Sequence, residues 1–254
     1  MTKKLTFWDH LDELRAVLIR IAVVTVVFGI AAFFFKDFLF NIIFAPKNDD
    51  FIIYKILQRI TKQPSEFFFV KLINTGLADQ FVTHMKVALY AGFLCSSPYI
   101  LYQLFRFVSP ALYRNERKYT ARVVFSSYVM FVIGILLSYF VVFPLTFRFL
   151  GTYQVSSEVE NMISLHSYIN TMMMLCLMMG IIFEIPILCW LFAKLGMLSS
   201  AFMTQYRKHA IVILLVIAAI ITPTADVFTL LLVSIPMYLL FEISILIVRK
   251  VEKK

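Results

Sequence analysis

One acidic residue stands among basic residues in the stretch LYRNERKYTAR, residues 112–122, which separates two of the most hydrophobic segments of the chain. A carboxylate such as Glu116 can hold a guanidinium through two parallel hydrogen bonds, a geometry that a lysine ammonium cannot match. As a surface acid, Glu116 would instead pair with Arg114, Arg117 or Lys118 at little energetic gain. The local spacing leaves both roles open.

A second candidate carboxylate, Glu13, lies in the segment TFWDHLDELR near the N-terminus. Thr6 and Asp9 have the spacing of a helix capping box. Asp9, Asp12 and Glu13 would then complement the positive end of the helix dipole. The spacing alone favours this role at the helix N-terminus for Glu13.

Three further acids lie within or beside apolar runs, where an ionised side chain is costly and usually finds a partner. Glu184 comes shortly before Pro186, which can kink a helix and free a carbonyl. Asp226 lies in TPTAD and is typical of a turn. Glu242 is predicted to be structural, either reaching the membrane interface or pairing with Arg249.

The composition indicates an integral membrane protein. Hydrophobic residues make up 61% of the 254 residues and charged residues only 15%, which is far from the averages of soluble domains. The net charge of +9 indicates basic loops at an anionic lipid surface rather than nucleic-acid binding. We therefore expect a single membrane domain, residues 1–254, and the N-terminal segment has no pattern of a cleaved signal peptide.

The sequence contains none of the common catalytic motifs. There is no phosphate loop, HExxH or GxSxG pattern, and an intramembrane hydrolase would need a nucleophile and base at a recognisable spacing. Three cysteines inside apolar runs predict neither disulfides nor a metal site, and the run TMMMLCLMMG is typical of adaptable packing. We expect no enzyme, no catalytic residue, no metal and no cofactor.

The hydrophobic runs predict an all-α polytopic bundle of six transmembrane helices, kinked at Pro98, Pro186 and Pro236. The spans lie near residues 16–36, 86–108, 121–143, 168–192, 210–222 and 227–248. The fifth and sixth are predicted to be short. The fifth has only 12 apolar residues, about 18 Å of helix against a hydrocarbon core of about 30 Å, so it either crosses a thinned bilayer or forms a re-entrant hairpin.

The loops predict the orientation and an outer cap. Lys and Arg number 14 on the side of the termini and 8 on the other side, which places both termini in the cytoplasm. In the first outer loop, FIIYKIL and a segment from Pro64 to Met85 are predicted to form amphipathic surface helices. The second outer loop, residues 144–167, is expected to be a simple connector.

Five motifs in register give the chain its resemblance to a known family. HLDELR at 10–15, residues 96–118, FEIP at 183–186, TPTADVF at 222–228 and IPMYLLFEI at 235–243 occur in the order and spacing of TatC. TatC is the receptor component of the twin-arginine protein translocase. The resemblance runs over essentially the whole chain.

The resemblance implies a receptor and scaffold in the bacterial cytoplasmic membrane. It would bind twin-arginine signal peptides of folded proteins, assemble with single-span TatA/TatB-type subunits in homo- and hetero-oligomers, and use the proton-motive force. Glu13 and Glu116 would hold the two guanidinium groups of the signal. The recognition region of the family lies at the cytoplasmic ends of the spans. It would also include Arg15, Gln103, Phe107 and Arg117.

The roles of the remaining site residues are less narrowly defined. Arg15 and Arg117 would either orient the carboxylates or contact lipid phosphate. Gln103 and Phe107 would contact the signal or pack between spans. The family implies a partner-subunit or transport role for Glu184 and Asp226.

One alternative function belongs to a different class. In a small-solute or ion transporter, Glu184 and Glu242 would form an intramembrane proton relay. Such transporters are commonly built from inverted repeats, and the sequence shows no convincing internal repeat.

Overall fold

The computed structural model describes residues 7–61, 70–108, 120–156, 161–222 and 226–253. In these ranges the chain is almost entirely helical. The elements are α1 Phe7–Phe33, α2 Lys36–Phe44, a 3-10 turn Ala45–Lys47, α3 Ile52–Thr61, β1 Leu72–Ile73, α4 Asp79–Val108, α5 Thr120–Leu137, a π-helical segment Ser138–Val142, α6 Phe143–Thr152, β2 Ile163–Ser164, α7 Leu165–Ile182, α8 Ile185–Lys194, α9 Ser200–Gln205, α10 Arg207–Ile221 and α11 Val227–Glu252.

Five helical runs in the described ranges are long and apolar enough to cross a membrane: Leu11–Phe33, Asp79–Phe107, Ala121–Thr152, Leu165–Lys194 and Val227–Glu252. These runs overlap five of the six predicted spans and indicate a multi-span membrane protein. The predicted fifth span corresponds to α10, whose 15 residues rise about 22 Å. This helix is short, as expected.

The prediction of a short sixth span is wrong. Helix α11 has 26 residues and rises about 39 Å. Its apolar stretch is followed by the helix-compatible charged residues Arg249, Lys250 and Glu252, so the helix continues for another turn. Pro236 lies inside this helix and does not interrupt it.

The predicted end of the third span at Pro144 is also wrong. The helical run continues through α6 to Thr152, so residues 144–152 are not part of a connector. A proline ring clashes with the carbonyl four residues earlier in a regular α-helix. Here the widened π turn Ser138–Val142 directly precedes α6 and places Pro144 in the first turn, where a missing N–H costs little.

The helix break predicted near Pro186 is present. Helix α7 ends at Ile182 and α8 begins at Ile185, and the Glu184 N–H donates to the carbonyl of Ile181, three residues earlier. Pro186 then occupies the first turn of α8. Pro98, by contrast, lies inside a continuous α4.

The segment predicted to be the first outer loop differs from its prediction in its second half. Residues 52–57 of the predicted segment FIIYKIL lie in α3. The proposed second helix is wrong over residues 70–78, which contain β1 and a turn in which Asn74 Nδ2 donates to the Gly76 carbonyl. Residues 79–85 belong to α4 because Asp79 opens a helix that continues into the apolar span. Residues 64–69 lie outside the described ranges.

Two compact units divide the chain: Met1–Leu39 with His84–Val129, and Phe40–Thr83 with Met130–Lys254. In the first unit, α1 and α4 cross with their backbones in contact. A Cβ atom added at Gly92 would lie 2.4 Å from the backbone nitrogen of Gly29. Beside this crossing, Thr25 Oγ1 and Ser96 Oγ are 3.1 Å apart, so small residues create the close packing common between membrane helices.

In the second unit, another pair of glycines brings α5 against α7. A Cβ at Gly134 would lie 2.6 Å from the Met179 carbonyl oxygen and 3.0 Å from the Gly180 Cα. Strands β1 and β2 pair in parallel, with Leu72 opposite Ile163. The glycine contacts hold α5 against α7, and the strand pair joins the segment before α4 to the segment before α7.

Three tyrosines of the second unit fix the connection between α2 and α3. Tyr139 and Tyr168 donate to the carbonyls of Ile42 and Ile43 at 2.7 and 2.8 Å. These are among the last carbonyls of α2, which have no partner inside their own helix. The Tyr54 hydroxyl lies 3.0 Å from the Pro46 and Pro144 carbonyls. Burial raises the pKa of the Tyr54 phenol far above its ordinary range.

Candidate functional site

The predicted carboxylate pair is only partly within the described ranges. Glu13 lies in the second turn of α1 and its side chain is exposed to solvent, as is that of Arg15 two residues later. Glu116 and Arg117 lie in residues 109–119, outside the described ranges. The separation of the two predicted carboxylates therefore stays a prediction.

The crossing of α1 and α4 places Gln103 and Phe107 toward the same end of the helix pair as Glu13. The helices run antiparallel, because Gly29 meets Gly92 while Thr25 meets Ser96. Measured from the Thr25–Ser96 contact at 1.5 Å per residue, Glu13 is about 18 Å along α1. Along α4, measured from Ser96 in the same way, Gln103 is about 10 Å and Phe107 about 16 Å from the contact.

Gln103 is a buried amide with spare hydrogen-bonding capacity. Its side chain is 4% exposed, and its Nε2 donates to the Tyr99 hydroxyl at 2.6 Å. Its Oε1 has no hydrogen-bond partner among the described residues. A buried acceptor left open is costly, so Gln103 is suited to receive an N–H from a bound segment. Phe107, one turn further on, is half-buried and adds an apolar surface.

Glu184 lies at the break between α7 and α8 and is half-buried. Its side chain therefore lies between the end of one helix and the start of the next, at the break that Pro186 predicted. Asp226 is the N-cap of α11, and its Oδ1 accepts a 2.7 Å hydrogen bond from the Thr229 N–H. This geometry gives Asp226 a structural role at the start of the last span.

The sequence predictions missed an ion pair between α10 and α11. Arg207 Nη2 lies 2.8 Å from Glu242 Oε2, and the Tyr238 hydroxyl donates to Glu242 Oε1 at 3.0 Å. The expected partner of Glu242 was Arg249, seven residues away on the same helix. The Tyr238–Glu242 spacing of four residues was a usable signal, whereas nothing local connects Glu242 to Arg207 across 35 residues.

The described side chains form an arrangement suited to binding. Among them, no three His, Cys, Asp or Glu side chains come together as metal ligands. One end of the α1–α4 pair presents an exposed acid, a buried amide acceptor and an aromatic face. The fold defines a class: a polytopic α-helical membrane protein, here with polar side chains at one end of the α1–α4 pair.

Comparisons with known proteins identify the family. The family model of the Sec-independent protein translocase protein (TatC) matches residues 9–236. TatC of Blattabacterium sp. subsp. Periplaneta americana is 34% identical over 99% of this chain and 97% of that protein. TatC of Aquifex aeolicus is 35% identical over 97% of this chain and 95% of that protein.

A solved structure gives the same result. The crystal structure described as the twin-arginine translocase receptor TatC superposes with a TM-score of 0.77 at 34% identity, covering 96% of this chain and 99% of that one. The chain belongs to the TatC family and is a protein translocase component with a transport role. The alternative of a small-solute or ion transporter receives no support from these relationships.

Proposed function

We propose that this chain is the receptor and core scaffold of a twin-arginine translocase in the bacterial cytoplasmic membrane. It binds the paired-arginine signal peptides of folded proteins and directs their export. The observation that carries the proposal is the match over nearly the whole chain to proteins of this family, including a solved twin-arginine translocase receptor. The exposed Glu13 and the open acceptor of Gln103 at one end of the α1–α4 pair support it.

Recognition rests on two carboxylates that meet two guanidinium groups. Glu13 holds one arginine of the signal, and Glu116 holds the other. Each forms a two-point, charge-assisted hydrogen bond that a lysine cannot reproduce. Arg15 and Arg117 orient these carboxylates when no signal is bound, and the basic residues around them face the anionic cytoplasmic leaflet.

The rest of the signal follows α4 into the membrane. A backbone N–H of the signal donates to Gln103 Oε1, and apolar signal residues pack on Phe107. Both termini of the chain lie in the cytoplasm, as the distribution of Lys and Arg predicts. Docking from that side therefore leaves the apolar part of the signal directed into the bilayer.

Export also needs partner subunits and a source of energy. Single-span TatA/TatB-type subunits join this chain in homo- and hetero-oligomers, and the half-buried Glu184 meets a polar group on one of them. Asp226 contributes to transport by fixing the start of α11 beside α10. The proton-motive force supplies the energy, since the sequence carries no nucleotide-binding motif.

The direct test is binding of a labelled paired-arginine peptide to the purified protein in detergent. We expect Glu13→Gln and Glu116→Gln each to weaken binding about 10- to 100-fold, the loss of one charge-assisted contact. A peptide with two lysines should bind about as weakly. Asp12→Asn is the matched control, since Asp12 is an exposed acid beside Glu13 on α1.

Two outcomes would refute the proposal. If the wild-type protein binds no paired-arginine peptide, the receptor function is wrong for this chain. If the arginine and lysine peptides bind equally, or Asp12→Asn weakens binding as much as Glu13→Gln, recognition depends on overall charge and not on two specific carboxylates.

The short α10 suggests how the membrane barrier is lowered. A helix of about 22 Å does not match a core of about 30 Å, so lipid thins around it. Inserting one apolar turn into α10 should impair export and leave peptide binding unchanged. Normal export by that variant would contradict bilayer thinning while leaving the receptor function intact.

A further inference from the structure

Helix α3 presents aliphatic side chains away from the protein. Ile52 and Ile56 are 56% and 46% exposed, while Tyr54 between them is 1% exposed. At 100° per residue, the two isoleucines lie 40° apart and Tyr54 lies about 160° from both. One side of α3 is therefore attached to the protein and the opposite side carries exposed apolar groups.

The attachment of α3 shows its depth along the third span. The run Ala121–Thr152 contains no Asp, Glu, Lys or Arg between Arg122 and Arg148. The two arginines are about 39 Å apart along the helix, and residue 135 marks the midpoint. A hydrocarbon core of about 30 Å centred there ends about 15 Å to either side.

Tyr54 lies at that boundary. Its hydroxyl is 3.0 Å from the Pro144 carbonyl oxygen, and Arg148 Cζ is 5.3 Å from the centre of its ring. Residues 144 and 148 are about 14 and 20 Å from the midpoint of the span. Phe51, just before α3, also stacks on Phe140 with ring centres 5.7 Å apart. Helix α3 is therefore held at the level where acyl chains meet headgroups.

Basic side chains border one edge of the aliphatic face. Lys55 and Arg59 are exposed, one turn apart, and lie 60° and 20° from Ile52 around the helix. Lys55 Nζ is 3.2 Å from Asp50 Oδ1, but both side chains are more than half exposed, so this pair is weak and exchangeable. An aliphatic face bordered by basic residues is the pattern of helices that lie in the membrane interface.

We propose that α3 is an interfacial helix that binds anionic lipid. Ile52 and Ile56 insert into the acyl boundary of the adjacent leaflet, and Lys55 and Arg59 hold lipid phosphates. Tyr54 fixes the opposite side of α3 to the third span, so the helix keeps this depth. The proposal does not depend on which proteins the chain transports, and its failure would leave the proposed receptor function untouched.

The depth of α3 is measured by spin labelling of the full chain in vesicles of phosphatidylethanolamine and phosphatidylglycerol. A nitroxide is placed at Ile56→Cys after Cys95, Cys176 and Cys189 have been replaced by serine or alanine. We expect it to be accessible to oxygen and protected from a water-soluble nickel chelate, at about 5–10 Å below the phosphates. The matched control is a label at Asp50→Cys, where the side chain is 93% exposed and the chelate should have access.

Two results would overturn the proposal. If the label at position 56 is as accessible to the chelate as the label at position 50, the isoleucine face is in water. If the label is protected from both oxygen and the chelate, protein covers the face, either a second copy of this chain or a partner subunit.

The headgroup preference is tested with a fluorescent label at the same cysteine and brominated lipids as quenchers. We expect brominated phosphatidylglycerol to quench more than brominated phosphatidylcholine at an equal fraction of the bilayer, and Lys55→Gln with Arg59→Gln to bring the ratio to about 1. The control pair Lys250→Gln and Lys253→Gln removes the same charge and should leave the ratio unchanged. An unchanged ratio in the α3 variant, or an equal loss in the control, refutes specific binding by Lys55 and Arg59.

Discussion

A single methyl group at Gly92 tests whether α1 and α4 are held together by backbone contact. In Gly92→Ala, the new Cβ would lie 2.4 and 2.6 Å from the N and Cα of Gly29 and 2.8 Å from the Thr25 carbonyl oxygen. All three neighbours are backbone atoms, so no side-chain rotation can relieve the contact. The two helices must separate by roughly 1 Å to restore ordinary van der Waals distances.

The energetic cost follows from three contributions. Overpacking of this kind costs about 1–3 kcal/mol, and weakening the Thr25–Ser96 hydrogen bond adds about 0.6 kcal/mol. Alanine regains up to about 1 kcal/mol of helix propensity over glycine. We therefore expect Gly92→Ala to lower the free energy of unfolding by about 1–3 kcal/mol.

Gly29→Ala is a matched control at the same crossing. Its Cβ would lie 3.4 Å from the Leu89 Cα and 3.6 Å from the Ala88 carbonyl oxygen, distances of ordinary contact. This variant gains the same helix propensity with little overpacking, so its stability should equal or slightly exceed that of the wild type.

The measurement is reversible unfolding by SDS in dodecylmaltoside micelles, followed by far-UV circular dichroism. Binding of the paired-arginine peptide gives a second readout, because separating α1 from α4 displaces Glu13 from Gln103. Equal stability of Gly92→Ala and Gly29→Ala would refute the argument, since the two differ only in the backbone atoms that the new methyl group meets.

Three further predictions concern the second unit, each checked by the same unfolding assay. Asp226→Ala should cost about 1 kcal/mol and Asp226→Asn much less, because asparagine still caps α11 at the Thr229 N–H; equal losses would exclude capping. Double replacement of Arg207 and Glu242 by alanine should give a coupling energy of about 0.5–1 kcal/mol, and additive effects would show that the ion pair contributes nothing. Tyr168→Phe should destabilise by about 1–3 kcal/mol, since it removes the donor to a buried α2 carbonyl; an unchanged midpoint would contradict this.

The order and number of apolar runs made the membrane class predictable before any contact was known. Runs of about 20 apolar residues are long enough to cross a bilayer, and α10 is short because its run is short. Helix ends were less predictable. Pro144 looked like a terminus, yet the preceding π turn lets the helix continue to Thr152. Asn74 and Gly76 form a turn where the apolar pattern suggested a helix.

Some residues of the candidate site were also predictable from the sequence, and others were not. Glu13, Glu184 and Asp226 were found as acids beside apolar runs, where local sequence already makes an ionisable side chain conspicuous. The N-cap geometry of Asp226 depends only on residues within one turn, so it too follows from local sequence. Arg207 was missed because its partner Glu242 lies 35 residues away, and only the packing of α10 on α11 brings the two charges together.

The sequence alone determined the class of protein, the approximate positions of the apolar helices and the chemistry available for binding, because hydrophobic length and residue type are local properties. Only the tertiary structure decided how close the helices come and which polar groups meet. The backbone contact of Gly29 with Gly92, the hydrogen bonds of Tyr139 and Tyr168 to the α2 carbonyls and the hydrogen bond of Tyr54 to Pro144 all join residues far apart in the chain. Such contacts are set by the packing of whole helices, which no local spacing records.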